Sequence, residues 1–185
     1  MNIAILDDYQ NVALRIADWS AVAKKADITV FNDHIGQTDA LVERLLPFDA
    51  ICVMRERTPL RRDVIERLPR LRFIASTGPR NISIDMVAAN ERGILIANTG
   101  YKSTPTIELT WALILASARH LVGESNSIQA GGWQTSLGHE LDGRILGVLG
   151  LGNVGGQVAR IGRAFGMKII AIDSTLHPDS AWPSH

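Results

Sequence analysis

Short apolar runs alternate with helical patterns along the first hundred residues. Runs at residues 3–6, 28–31, 50–54, 72–75 and 94–97 are rich in β-branched side chains, too short for helices, and flanked by Asp, Asn or Gly. They predict strands. Helical spacing fills the gaps at 12–25, 39–46, 61–68 and 84–92. In the second of these, Thr38 is placed to cap the amino end while Leu41, Leu45 and Leu46 share one face. Gly93 stops the last one, because glycine accepts a left-handed backbone at little cost. Alternating strands and helices with short links predict a parallel sheet covered on both faces. Five such strands suit a flavodoxin-like domain over residues 1–100.

The pattern changes beyond residue 101. Ser103-Thr104-Pro105 opens a longer helix: Thr104 is placed to accept from free amides, Pro105 suits the first helical position, and Glu108 favours the positive end. Leu109, Ala112, Leu113, Ala116 and His120 form one stripe, and Trp111, Ile114, Leu115 and Ala118 fill much of the rest. A helix this apolar expects burial between layers, at a domain or subunit interface. Residues 123–143 are polar and glycine-punctuated, which predicts a short helix and a surface loop around Trp133. A strand at 145–149, a helix at 154–165 and a strand at 168–172 follow. Val158, Ile161, Ala164 and Phe165 are expected to face inward, Arg160 and Arg163 outward. Residues 174–185 lack periodicity and read as a tail.

The junction of that strand and helix carries the clearest chemistry. The strand feeds Gly150-Leu151-Gly152-Asn153-Val154-Gly155. The first glycine permits a tight turn, the second lets amides approach a pyrophosphate, and the third lets the helix pack close to the strand. The helix amino terminus presents free amides and a positive dipole to the anion. Asp173 ends the next apolar run, where a carboxylate accepts from ribose hydroxyls. No arginine follows it to neutralise a 2′-phosphate, so NAD is expected over NADP. Strand, turn, helix, strand and acid together mark a Rossmann-type dinucleotide-binding unit over residues 101–185, incomplete because only one strand–helix–strand unit is present.

Composition narrows the partners. Nineteen basic residues balance nineteen acidic ones, so no net field recruits nucleic acid or an anionic membrane. The amino terminus lacks a signal-peptide pattern, and no apolar segment is long enough to span a bilayer. The lone Cys52 fits a reducing compartment, and a cytoplasmic protein is expected. Cys52 itself reads as a small buried hydrophobe. None of His34, His120, His139, His177 and His185 stands in a recognisable acid–base pattern with a carboxylate. Trp19 and Trp111 read as core or interface area, and Asp7 and Asp8 as loop and cap residues. Arg55 and Arg80 follow strands at their carboxyl ends, where open α/β sheets bind ligands.

At this level the chain resembles the D-isomer-specific 2-hydroxyacid dehydrogenase family. The resemblance rests on the segment 99–116, Thr-Gly-Tyr-Lys-Ser-Thr-Pro-Thr-Ile-Glu-Leu-Thr-Trp-Ala-Leu-Ile-Leu-Ala, on Gly132-Trp133, on residues 140–147 leading into the glycine turn, and on residues 164–168. It implies a flavodoxin-like substrate-binding domain followed by an NAD-binding domain entered through the 105–120 helix. It implies that Thr77 touches the nicotinamide side of NAD. Asn153 and Val154 would meet the pyrophosphate through their amides, and Asp173 the adenosine ribose. Arg55, with Gly78 and Arg80, would line a pocket for a 2-hydroxy or 2-keto acid. The stretch from Gly78 to Asp85 is longer than the family's usual glycine-rich loop, which leaves substrate preference open.

The family's catalytic arginine, glutamate and histidine have no counterpart within the 185 residues. The expectation is therefore a truncated dehydrogenase with negligible turnover, its second domain marginally folded and the sheet edge at 168–172 prone to association. A homodimer through the Pro105 helix region is the implied assembly. The alternatives are a noncatalytic NAD-binding protein similar to dehydrogenase-like corepressors, or a nonfunctional product.

Overall fold

The computed structural model of the chain describes residues 1–172. The chain divides into two compact units, Met1–Tyr101 and Lys102–His185.

The first unit is a five-stranded parallel sheet. Its elements run β1 (Asn2–Ile5), α1 (Ala13–Ile16), α2 (Ser20–Ala23), β2 (Asp27–Val30), α3 (Thr38–Leu45), β3 (Ala50–Val53), α4 (Arg62–Ile65), β4 (Phe73–Ser76), α5 (Met86–Glu91) and β5 (Leu95–Asn98). The strand order is β2-β1-β3-β4-β5. The order reverses between β1 and β3, so the crevice at their carboxyl ends is a natural ligand position. One face of the sheet carries the main core: Ala4, Leu6, Ile51, Val53 and Ile74 pack against Leu41, Val42, Leu45, Val64, Ile65, Leu68, Ala88 and Ala89. Truncating one of its fully buried leucines to alanine costs about 2–5 kcal/mol.

The opposite face is less covered than the alternating pattern predicts. Ile3, Ala26 and Ala50 form a small cluster with Ile28 and Cys52, while Phe73 and Leu95 remain exposed. The helix expected at 12–25 is two single turns. Ala17 is extended, and Asp18 begins the second turn by accepting from the Ser20 amide at 2.9 Å. Thr38 is the first residue of α3 and makes no capping bond. Asp85 does cap α5, accepting from the Ala88 amide at 2.8 Å.

The second unit contains α6 (Thr104–Ala118), α7 (Leu121–Gln129), β6 (Ile145–Leu149), α8 (Asn153–Ala164) and β7 (Lys168–Ile172). β6 and β7 pair in parallel along their whole length. Ile107 and Trp111 of α6 join Val158 of α8 and Met167 in a buried cluster, with Leu146 and Ile169 from the sheet against it. The Trp111 ring stacks on Phe165 at 4.9 Å. Thus α6 lies beside α8 on one face of the sheet. On the far face Ile145, Leu149, Ile170 and Ile172 are all exposed among the described residues. Ala164 also points to solvent, and Thr104 makes no capping bond. Leu109 and Leu113 are 60% and 61% exposed, so the stripe they share is not buried within the described residues. The loop after α7 is held by Glu124, whose carboxylate accepts from the Ser136 hydroxyl at 2.6 Å and from the Ser136 amide at 2.8 Å. Among the described residues no helix is long and apolar enough to cross a membrane.

Candidate functional site

Three neighbouring strands of the first unit end in the same way. Asp7, Arg55 and Gly78 each lie two residues beyond β1, β3 and β4, and each has a left-handed backbone, at φ 58°, 55° and 98°. Glycine adopts this conformation freely, but an arginine there costs about 1–2 kcal/mol. Such strain persists where surrounding bonds impose it, often at a ligand site.

Those bonds are present around Arg55. Its amide donates to the Thr77 hydroxyl at 2.9 Å, and its carbonyl accepts from the Asn81 side-chain amide. The Gly78 amide donates to the Thr99 hydroxyl at 2.8 Å. A Cβ on Gly78 would collide with the Arg55 guanidinium, so glycine makes room for that side chain. The guanidinium also lies 5.6 Å from the Tyr101 ring centroid, over its face, and 3.9 Å from Glu56. The structure therefore brings Arg55, Thr77 and Gly78 together, with the positive head of Arg55 half exposed. Arg80 is exposed and lines a different cavity, of about 390 Å³, with Asn81, Ile82, Met86 and Asn98.

Asn81 was not anticipated. It is buried, donates to both the Arg55 carbonyl and the Ser76 hydroxyl, and accepts from the Ser83 amide at 2.9 Å. The Arg55 and Ser76 partners are close in space because β3 and β4 are adjacent, whereas Ser83 is a neighbour two residues along the same loop. The only sequence signal was the unusual length of the loop that contains it.

His34 corrects the reading that no histidine meets a carboxylate: its Nδ1 lies 2.9 Å from Oδ1 of the buried Asp7. Asp8 fulfils the expected capping role, accepting from the Val12 and Ala13 amides at 3.0 and 2.9 Å. Cys52 is half-buried rather than buried as expected, and burial still pushes its thiol above the ordinary value, which makes it a poor nucleophile. The Tyr9 phenol is also raised, by desolvation first and by the nearby Asp7 carboxylate next.

In the second unit the glycine turn joins β6 to α8. Gly150 is left-handed at φ 87°, and its amide donates to the Ile172 carbonyl at 2.7 Å. A Cβ on Gly155 would run into the Gly150 carbonyl oxygen, whereas one on Gly152 would meet nothing within 4 Å. Gly155 thus lets the helix sit on the turn, while Gly152 faces space that is open among the described residues. Gly152 is also the residue before α8, and having no side chain it supplies no capping bond of its own to that helix. Asn153 and Val154 occupy its first turn with their amides at its positive end. The Asn153 side chain is turned aside, accepting from Gln157 at 3.1 Å. An open helix terminus beside a glycine without a Cβ is a cradle for a diphosphate. Asp173, the proposed ribose ligand, follows the last residue of β7 and lies outside the described residues.

Comparison with known proteins agrees with this geometry. The family described as D-isomer specific 2-hydroxyacid dehydrogenase, NAD binding domain, matches residues 111–184. A hydroxypyruvate reductase from Thermotoga maritima is 37% identical over 152 residues, covering 80% of this chain and 49% of the relative. A glyoxylate reductase from Aeropyrum pernix is 42% identical over 118 residues, covering 58% of this chain and 35% of the relative. Among solved structures, a phosphoglycerate oxidoreductase from Vibrio cholerae superposes with a TM-score of 0.86 at 40% identity, over 95% of this chain and 56% of that one. The matched segments span 49%, 35% and 56% of these longer relatives in turn.

Proposed function

The chain belongs to the D-isomer specific 2-hydroxyacid dehydrogenase family, and from that premise we propose how its two units divide the work of an NAD-linked oxidoreductase. Residues 101–185 hold NAD(H) at the turn of Gly150, Gly152 and Gly155. The amides of Asn153 and Val154 receive the pyrophosphate, and Asp173 receives the adenosine ribose. Residues 1–100 hold a 2-hydroxy or 2-keto acid. The Arg55 guanidinium pairs with its carboxylate through charge-assisted hydrogen bonds, and Gly78 leaves room for that guanidinium; Arg80, in its separate cavity, is not assigned to this grip. Thr77 is assigned to the nicotinamide side. When bound, NAD supplies the hydride acceptor or donor; the residues named here bind and orient the reactants. The observation that carries this reading is the amino terminus of α8 behind two glycines with opposite surroundings, one pressed on the turn and one with no described atom within 4 Å of where its Cβ would stand.

The hydroxypyruvate and glyoxylate reductases among the relatives favour a small 2-keto acid as substrate. The exposed Leu109 and Leu113 face of α6 supports a homodimer through that helix. A cytoplasmic setting, with Cys52 reduced, completes the reading. Titration with NADH, followed by calorimetry, is expected to give saturable binding, weaker with NADPH. Absence of saturation, or a preference for NADPH, would overturn the cofactor assignment.

A further inference from the structure

Asp7 is a buried carboxylate that neither the dinucleotide cradle nor the acid-binding residues use. It is 1% exposed and sits at the reversal of strand order, just beyond β1. It gathers side chains from three separate segments. The Tyr9 hydroxyl donates to Oδ1 at 3.3 Å, and His34, which follows β2, places Nδ1 2.9 Å from the same oxygen. From the loop after β3, the Thr58 hydroxyl donates to Oδ2 at 2.7 Å. Arg57 of that loop donates to the main-chain carbonyl of Asp7, also at 2.7 Å, with its guanidinium 4.7 Å over the Tyr9 ring.

The chemistry of these bonds requires an acceptor on both oxygens. A carboxylate offers acceptors alone, so one oxygen serves the β1–β2 side and the other the β3 loop. The loop so held begins with Arg55. Thr77 and Asn81 fix Arg55 at its own amide and carbonyl, and Asp7 fixes the loop two and three residues further on. A left-handed arginine between two such anchors has little freedom to relax into an ordinary conformation. We propose that Asp7 is a positioning residue: by holding Thr58 and Arg57 from the end of β1, it sets the left-handed Arg55 so that its guanidinium is preorganised for the substrate carboxylate. This rests on the reading of Arg55 as the acid-binding arginine.

Deleting the carboxylate itself endangers folding, so the test removes its donor. Thr58→Val is isosteric and lacks the hydroxyl; Thr58→Ser retains it. Amide exchange at Arg55 tests the anchor without any ligand. In Thr58→Val it is expected to accelerate about tenfold, with Ile51 and Ile74 unchanged, and Thr58→Ser is expected to restore it. Unchanged exchange at Arg55, or equal acceleration at all three positions, overturns the proposal. Oxalate, a small dianion, then probes the acid site by calorimetry in a double-mutant cycle with Arg55→Gln. Thr58→Val is expected to weaken oxalate about tenfold when Arg55 is present and not at all when it is absent. A loss of the same size in both backgrounds overturns the positioning role and leaves Arg55 as the ligand. Oxalate held equally well by the wild type and Arg55→Gln, or by neither, instead overturns the reading of Arg55 and this proposal with it.

Discussion

The side-chain amide of Asn81 donates to the main-chain carbonyl of Arg55, tying the loop after β4 to the loop after β3. The same nitrogen reaches the Ser76 hydroxyl at 3.2 Å. Asn81→Ala leaves the Arg55 carbonyl and the Ser83 amide without these partners. An unpaired buried polar group costs about 1–3 kcal/mol, so the urea midpoint of the first unit should fall accordingly. Asn81→Asp sets a carboxylate oxygen against the Arg55 carbonyl and should lower the midpoint further at pH 7.

The last two glycines of the turn should separate by phenotype. Gly155→Ala drives a methyl into the Gly150 carbonyl and against Val148, so it should destabilise the second unit and abolish NADH binding together. Gly152→Ala meets no atom of the described residues and should leave the thermal midpoint unchanged while weakening NADH at least about tenfold, because the methyl occupies space needed by the diphosphate. Calorimetric melting and NADH titration on both variants check the contrast. Equal loss of stability in both would remove the distinction.

Trp111 is the largest side chain in the core of the second unit, 5% exposed and stacked on Phe165. Trp111→Ala should cost about 3–5 kcal/mol, enough to unfold a small α/β layer at ambient temperature. Loss of near-ultraviolet circular dichroism from that unit, with the first unit still cooperative in urea, is the expected signature.

Asp49 accepts from the Asn2 amide at 2.7 Å and lies 3.2 Å from Arg70. The Asn2 amide first, and the Arg70 guanidinium with it, hold this carboxyl below its ordinary value. A carboxyl whose folded value is depressed stabilises the fold above its unfolded value, and the contribution fades as pH falls through the folded one. The urea midpoint of the wild type should therefore drop below about pH 4, and Asp49→Asn should show a shallower decline over the same acid range. Parallel curves for the two proteins would assign the acid sensitivity elsewhere.

Local patterns were readable and distant ones were not. β6 and β7 match the expected residues throughout, because their apolar runs are bounded by glycines and a lysine. The strands of the first unit were located to within a residue or so of their observed ends. The break between α1 and α2 was missed because apolar spacing runs through it unchanged, and only the Asp18 cap marks the restart. The glycine turn was legible since all its parts lie within six consecutive residues. The grouping of Asp7, His34 and Thr58 spans three strands, with 27 residues between the first pair and 51 between Asp7 and Thr58. No periodicity can report such a meeting; it exists only once the parallel register of β2, β1 and β3 is formed.

The bridge from Asn81 to Arg55 also bears on protein engineering. Two surface segments that would ordinarily be diversified one at a time share a single buried amide. Libraries aimed at new acids should exchange residues 55–58 and 78–83 as one cassette, since grafting either alone strands a donor or an acceptor inside the protein.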